Sequence, residues 1–203
     1  MYVPKAFAVA DPAWAHRFIE TYGFGTLVTL RDGEPFATHL PFLIEPENGP
    51  RGTLLAHMAR ENPHWRAFGE SPSLAIFTGP HAYVSPSWYR SPAAKVPTWN
   101  YTAVHVYGKA RAVDDVAEAE TILRKLIGQA EKDFPDPWTF ERVDEPYRRE
   151  MIHHIVAFTI PIDRIEAKAK LNQNRPPLDR RLVAEAVGGE LAGLMEELSL
   201  TKS

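Results

Sequence analysis

A mainly β chain with peripheral helices (α+β), built on an antiparallel barrel, is what these 203 residues predict. Three observations lead there. The first is a strict alternation over 104–112, with Val104, Val106, Gly108, Ala110 and Ala112 on one side and His105, Tyr107, Lys109 and Arg111 on the other. A period of two is a half-buried strand with a wet face. The second is a run of short apolar segments separated by turn signals, Asp32-Gly33 and Glu47-Asn48-Gly49 among them. The third is that helical spacing is concentrated near the start and after residue 114. Strands in sequence with segregated helices argue against a doubly wound parallel sheet. The expected organisation is one domain over 1–203, with helical additions at about 114–153 and 176–203 and no internal repeat.

The elements follow in order. Asp11-Pro12 caps and starts a helix, and Trp14, Phe18 and Tyr22 at steps of four give it an apolar stripe. Residues 24–30 and 35–45 read as a hairpin, with His39 inside its second strand. Residues 53–58 make a third strand, and Asn62-Pro63 opens a short helix carrying Trp65 and Phe68. Residues 73–78 make a fourth. The stretch from His81 towards Tyr101 is too rich in proline and serine for a helix or central strand, so it is expected as an aromatic loop feeding the long strand. Ile122, Leu123, Leu126 and Ile127 mark a helix over 117–127, and Glu145-Pro146 opens another that ends near His153 and His154. A strand over 155–162 with a continuation over 165–171 precedes Pro176-Pro177, a terminal helix, and a last helix beyond Gly188-Gly189.

Composition narrows the function. A net charge of −3 supplies no basic field for strong nonspecific nucleic-acid binding. The absence of cysteine removes disulfides, thiolate metal sites and a cysteine nucleophile, and suits a reducing compartment. No apolar run reaches transmembrane length, so a cytoplasmic protein with no membrane role is expected. Nothing in the sequence matches HExxH, GxSxG or a P-loop, and His153-His154 read as surface histidines, so no metal site is expected.

Three donor-rich segments remain. In His57-Met58-Ala59-Arg60-Glu61-Asn62-Pro63 a strand gives way to a helix start. Either the exposed amides and Arg60 receive a phosphate, or Asn62 merely caps the helix while Arg60 is solvated. In Lys168-Ala-Lys170-Leu171-Asn172-Gln173-Asn174-Arg175 two lysines share a strand face ahead of three amides and an arginine. That is either a donor set for phosphate, ribityl hydroxyls and a flavin edge, or a polar exit loop. In Lys95-Val96-Pro97-Thr98-Trp99-Asn100-Tyr101, Thr98 and Asn100 share one face and Trp99 and Tyr101 the other. They either bracket a planar ring or place a core tryptophan among turn formers.

Taken together, MYVPKAF (1–7), ATHLPFL (37–43), AHMARENPHW (56–65), GPHAYVSPSWY (79–89), VPTWNYTAVHVYG (96–108) and KAKLNQNRP (168–176) resemble the PaiB-type FMN-binding negative transcriptional regulators. The likeness runs in order over nearly the whole chain. It implies an FMN-binding split β-barrel related to pyridoxamine-phosphate oxidases and flavin reductases, forming homodimers with FMN at the subunit interface. Carried over residue by residue, it places FMN against His57, Arg60, Thr98, Trp99, Asn100, Lys170, Asn172, Gln173 and Arg175, with His39 on the neighbouring strand. Two positions depart from the family pattern: Ala169 stands where an aromatic residue is usual, and Asn172 where serine is usual.

The resemblance leaves several functional readings. One is a regulatory FMN-binding homodimer; DNA as a partner rests on the family alone, since no convincing helix-turn-helix or basic recognition helix is present. Another is a flavin-dependent oxidoreductase. Haem-dependent piperazate synthases resemble this family too, and in that reading His57 is an axial iron ligand, which neutral imidazole suits. A cofactor-free dimer, its pocket vestigial because of Ala169, is a further one.

Overall fold

The computed structural model describes residues 1–91 and 96–200, so Lys95 of the third segment lies outside the described residues. Eight strands and five α-helices are present among them: β1 (Ala8–Val9), α1 (Pro12–Thr21), β2 (Phe24–Arg31), β3 (Glu34–Glu45), β4 (Thr53–Ala59), β5 (Ser73–Val84), β6 (Thr98–Gly108), β7 (Arg111–Ala112), α2 (Val116–Glu131), α3 (Glu145–Ile152), β8 (Ile155–Lys170), α4 (Pro177–Val187) and α5 (Gly189–Leu200). The strand order is β1-β8-β4-β3-β2-β5-β6, β7 adds to β8, and β6 also pairs with β8. Six strands therefore make a closed circuit, which removes their edges. The chain divides into two compact units, one of residues 12–77 with 105–165 and one of residues 1–11, 78–104 and 166–203.

In the larger unit the β2–β3 hairpin runs from Phe24↔Pro41 to Arg31↔Glu34. Asp32 at φ 54° and Gly33 at φ 83° turn it, as an Asp-Gly pair should, because both central residues of a type I′ turn need positive φ. β4 pairs antiparallel with β3 and with β8, from Thr53↔Pro161 to Ala59↔Ile155. Its alternate residues face opposite ways. Leu54, Ala56 and Met58 are buried on one face, and Leu55 packs with Ala157 beneath Ala119 and Ile122 of α2 on the other. Phe42 lies edge-on to Phe77 and Phe158 at 5.4 and 6.2 Å, and Phe68 is 4.9 Å from Phe158. Each such ring buried contributes about 2 kcal/mol of transfer free energy. The aromatic stripe of α1 also forms, with Trp14–Phe18 and Phe18–Tyr22 centroids 5.0 and 4.6 Å apart.

β6 and β8 approach closely at Gly108, where an added Cβ would lie 2.2 Å from the Pro161 carbonyl oxygen. No side chain fits that gap. The alternation from Val104 to Arg111 is seen as buried and wetter positions in turn, although the strand breaks at Lys109-Ala110 before β7 pairs with β8.

Two expectations about elements are corrected. β5 runs on to Val84 through Pro80, and β6 starts at Thr98, so much of the expected aromatic loop is strand. The register of β2 against β5 ends at Thr26↔Ile76, so beyond it Pro80 is not asked for a ladder hydrogen bond on that side. The continuation expected for the last strand is present, and β8 runs unbroken over sixteen residues. The helix expected after Asn62 is a short 3-10 turn, Pro63–Ala67.

In the smaller unit β1 pairs with the end of β8, Ala8↔Lys168 and Val9↔Ala167. A 3-10 turn, Pro86–Trp88, follows β5, and Arg90 N–H donates to the Asp179 carboxylate in the first turn of α4 at 3.1 Å.

Candidate functional site

The smaller unit gathers seven of the expected residues on the ends of β6 and β8 and the turn after β8. Thr98, Trp99 and Asn100 open β6 and alternate faces: Asn100 is fully buried, whereas Trp99 is 53% exposed. At the end of β8 the Lys170 ammonium donates to the Thr98 hydroxyl and, at 2.7 Å, to the Trp99 carbonyl. Burial, then the charges of Lys168 and Arg175, hold its pKa below the ordinary lysine value. Lys168 is buried with its amine on the Tyr2 carbonyl at 3.0 Å and over the Tyr101 ring at 4.9 Å. Arg175 lies over the Tyr89 ring at 5.4 Å.

Two of the amides in this segment are spent on contacts within the protein. Asn172 adopts φ 62°, a left-handed conformation that asparagine tolerates, and its Nδ2 donates to the buried Tyr89 hydroxyl at 3.3 Å. Gln173 accepts from Leu171 N–H at 2.8 Å and donates to the Ala169 carbonyl. Ala169 is fully buried on the strand face opposite Lys168 and Lys170, so the missing aromatic does not open space beside the two amines. Asn100 donates to the Met195 sulfur of α5 at 3.6 Å, and its Oδ1 has no partner among the described residues.

Three expected residues belong to the larger unit. His39 sits on β3 with Nδ1 3.0 Å from the Thr26 hydroxyl, its cross-strand neighbour. His57 pairs across from Ala157, with Nδ1 buried and without a partner among the described residues, and burial lowers its pKa, which favours the neutral imidazole. Arg60 is exposed but tethered: Nε donates to the His153 carbonyl at 2.7 Å and one Nη to that of Ile155 at 2.8 Å. Asn62 caps its 3-10 turn by accepting from His64 N–H at 3.0 Å. The sequence reading missed a cluster beside it. Asn62 Nδ2 donates to the Thr38 hydroxyl at 3.2 Å, and that hydroxyl lies 2.8 Å from Nδ1 of fully buried His64. The Nε2 atom on the other side of the His64 ring is buried with no hydrogen-bond partner among the described residues. Burial and then Arg31 push the pKa of His64 down to about 4.

Residues 1–164 match the family described as "Putative FMN-binding domain". The chain belongs to that family. This FMN-binding-domain chain is 37% identical over 207 residues to "Protease synthase and sporulation protein PAI 2" of Bacillus subtilis, covering 97% of each protein. Among solved structures it is similar to the flavocytochrome Anf3 from Azotobacter vinelandii, with TM-score 0.66, 16% identity, and coverage of 83% of this chain and 72% of that one. It is also similar to the FAD and heme binding protein from Mycobacterium smegmatis, with TM-score 0.62, 18% identity, and coverage of 90% and 80%. These likenesses carry the fold, which is of the split-barrel type. PaiB-type flavin binding is what the family assigns to this chain, and FMN is its cofactor.

The donors of the smaller unit fit FMN. Lys168, Lys170 and Arg175 form no ion pair with a carboxylate among the described residues, so a phosphate meets cations that no acid neutralises. An exposed indole stands beside them. Two further rings, within the expected aromatic stretch but not among the residues placed against FMN, complete that surface: His81 and Tyr83 of β5, each with its centroid 6.2 Å from the Trp99 ring. Their signal was the alternation of His81 and Tyr83, hidden because Pro80 argued against a strand there.

Proposed function

We propose that this chain is a PaiB-type FMN-binding protein that works as a homodimer in a regulatory role in the cytoplasm. The observation that carries the reading is the Lys170 ammonium, held by Thr98 and Trp99 with two further cations, none of the three in an ion pair with a carboxylate among the described residues. In this reading Thr98, Trp99, Lys170 and Arg175 contact the cofactor. Asn100, Asn172 and Gln173 hold those side chains in place through their buried contacts. FMN supplies hydride and single-electron chemistry, while the protein supplies orientation and charge. Negative regulation and pairing of subunits come from the PaiB resemblance, supported by Tyr83 and Trp99, which one copy leaves 46% and 53% exposed. His39, His57 and Arg60 are proposed as cofactor-facing residues of the larger unit, Arg60 offering only the guanidinium nitrogen that its backbone contacts leave available.

A test is an absorbance scan of purified protein, followed by FMN titration with light scattering. A flavin spectrum and the mass of two copies are expected. Apoprotein that stays colourless with excess FMN would sink the reading. Oxidation of NADPH by the loaded protein would turn it towards an oxidoreductase.

A second reading is haem binding, favoured by His57: burial favours its neutral imidazole, and one ring nitrogen is without a partner among the described residues. A Soret band lost in His57→Ala would select it.

A further inference from the structure

We propose that His81, Tyr83 and Trp99 form one aromatic platform that stacks the ring system of the flavin, with His81 as a hydrogen-bond acceptor for a ring N–H. This rests on the FMN reading and says which side chains of the chain meet the ring rather than the phosphate.

The three rings stand on the outer face of neighbouring strands β5 and β6. The Trp99 ring lies at 37° to His81 and at 76° to Tyr83, so one indole is bordered by two other rings. Tyr83 is 46% and Trp99 53% exposed, and large exposed rings grouped together mark a binding surface more often than rings scattered singly. His81 Nδ1 lies 3.2 Å from the Gly79 carbonyl oxygen, which can only accept. Nδ1 is therefore the donor, and in the neutral imidazole Nε2 is the acceptor. A flavin ring has an apolar face and one N–H between two carbonyls on its edge, which matches one stacking indole flanked by the Tyr83 ring at 76°, plus one acceptor.

Charge places the ligand here and not elsewhere in the unit. The Lys170 ammonium sits on the Trp99 carbonyl itself, so an anionic tail and a flat ring are recognised at adjoining atoms. The groove of about 560 Å³ between α4 and α5 presents Arg180 and Arg181 against Glu185 and Glu196, and so offers an anion no net attraction. Asn100 does not belong to the platform, because it points to the opposite strand face, against Met195.

Flavin emission is quenched when the ring stacks on tryptophan or tyrosine, because the aromatic side chain donates an electron to the excited flavin. The experiment titrates apoprotein with FMN, following flavin emission, flavin absorbance and mass by light scattering, in wild type, Trp99→Leu, Tyr83→Leu and His81→Ala. Wild type should quench bound FMN severalfold. Trp99→Leu and Tyr83→Leu should still shift the flavin spectrum, but with emission partly restored and Kd raised about tenfold each, the scale of one lost ring contact. His81→Ala should raise Kd while leaving emission quenched. Since two of these side chains are largely exposed, circular dichroism should be unchanged. If FMN binds with its emission as strong as in water, or if Trp99→Leu and Tyr83→Leu quench as wild type does, the platform is wrong and the FMN reading stands. If those variants fall from the mass of two copies to one with quenching intact, the face is a subunit contact instead. No FMN binding by wild type overturns both.

Discussion

Lys170 and Trp99, 71 positions apart, meet at a single hydrogen bond of 2.7 Å from an ammonium to a backbone carbonyl. That bond anchors the end of β8 to the start of β6 and leaves the indole free to face outwards. It also fixes a cation in a partly dry place next to two others, which is why its pKa is depressed.

Lys170→Met should therefore weaken FMN much more than riboflavin, which has no phosphate. Loss of one charge-assisted contact of about 1.5–3 kcal/mol corresponds to roughly ten- to a hundredfold in Kd. Isothermal titration with both ligands checks it, and an equal loss for the two would show that Lys170 does not meet the phosphate.

The same lysine sets a pH dependence. Its ammonium deprotonates below the ordinary value of 10.5, so FMN affinity should fall on the alkaline side before that pH is reached. Fluorescence titration from pH 7 upwards should show the fall in wild type and its absence in Lys170→Met.

His64 predicts acid sensitivity. Its folded pKa of about 4 lies below the model-compound 6.5, so the unfolded chain binds the proton more tightly. The stabilisation is fully present above 6.5 and is lost as the pH falls towards 4, about 3 kcal/mol at 1.36 kcal/mol per unit. Urea unfolding between pH 7 and 4 should show this slope in wild type, and a shallower one in His64→Gln.

Gly108→Ala would put a methyl group 2.2 Å from the Pro161 carbonyl oxygen, backbone against backbone. Strands β6 and β8 would have to separate, at a cost of roughly 3 kcal/mol or more. A fall in Tm of more than about 5 °C is expected, and a change within 1 °C would contradict the packing at this crossing.

Asn172→Ala should cost about 2 kcal/mol, half from the left-handed φ of 62° and half from the lost bond to Tyr89. Asn172→Gly should recover the first half only. Thermal melts of both variants separate the two contributions, and equal melts would remove the conformational one.

Much of the fold was legible because its signals are local. The Asp32-Gly33 turn, the stripe Trp14–Phe18–Tyr22 and the alternation from Val104 to Arg111 follow from φ/ψ preference and periodicity within a few residues. The loop expected around His81 failed for a related reason. Pro80 is tolerated because the β2 register ends at Ile76, and pairing between strands fifty residues apart is invisible to local propensity.

The candidate site divides the same way. Residue type and order alone marked Thr98, Trp99, Lys170 and Arg175 as donors or rings, and tied them to a flavin-binding family. Only the tertiary structure decided that Asn100 turns away to Met195, that Arg60 straps the backbone at His153 and Ile155, and that His81 and Tyr83 join Trp99. A side chain's chemistry is written at its own position. Which groups remain without partners is set by packing with residues 70 to 95 positions away, and that is decided when the chain closes on itself.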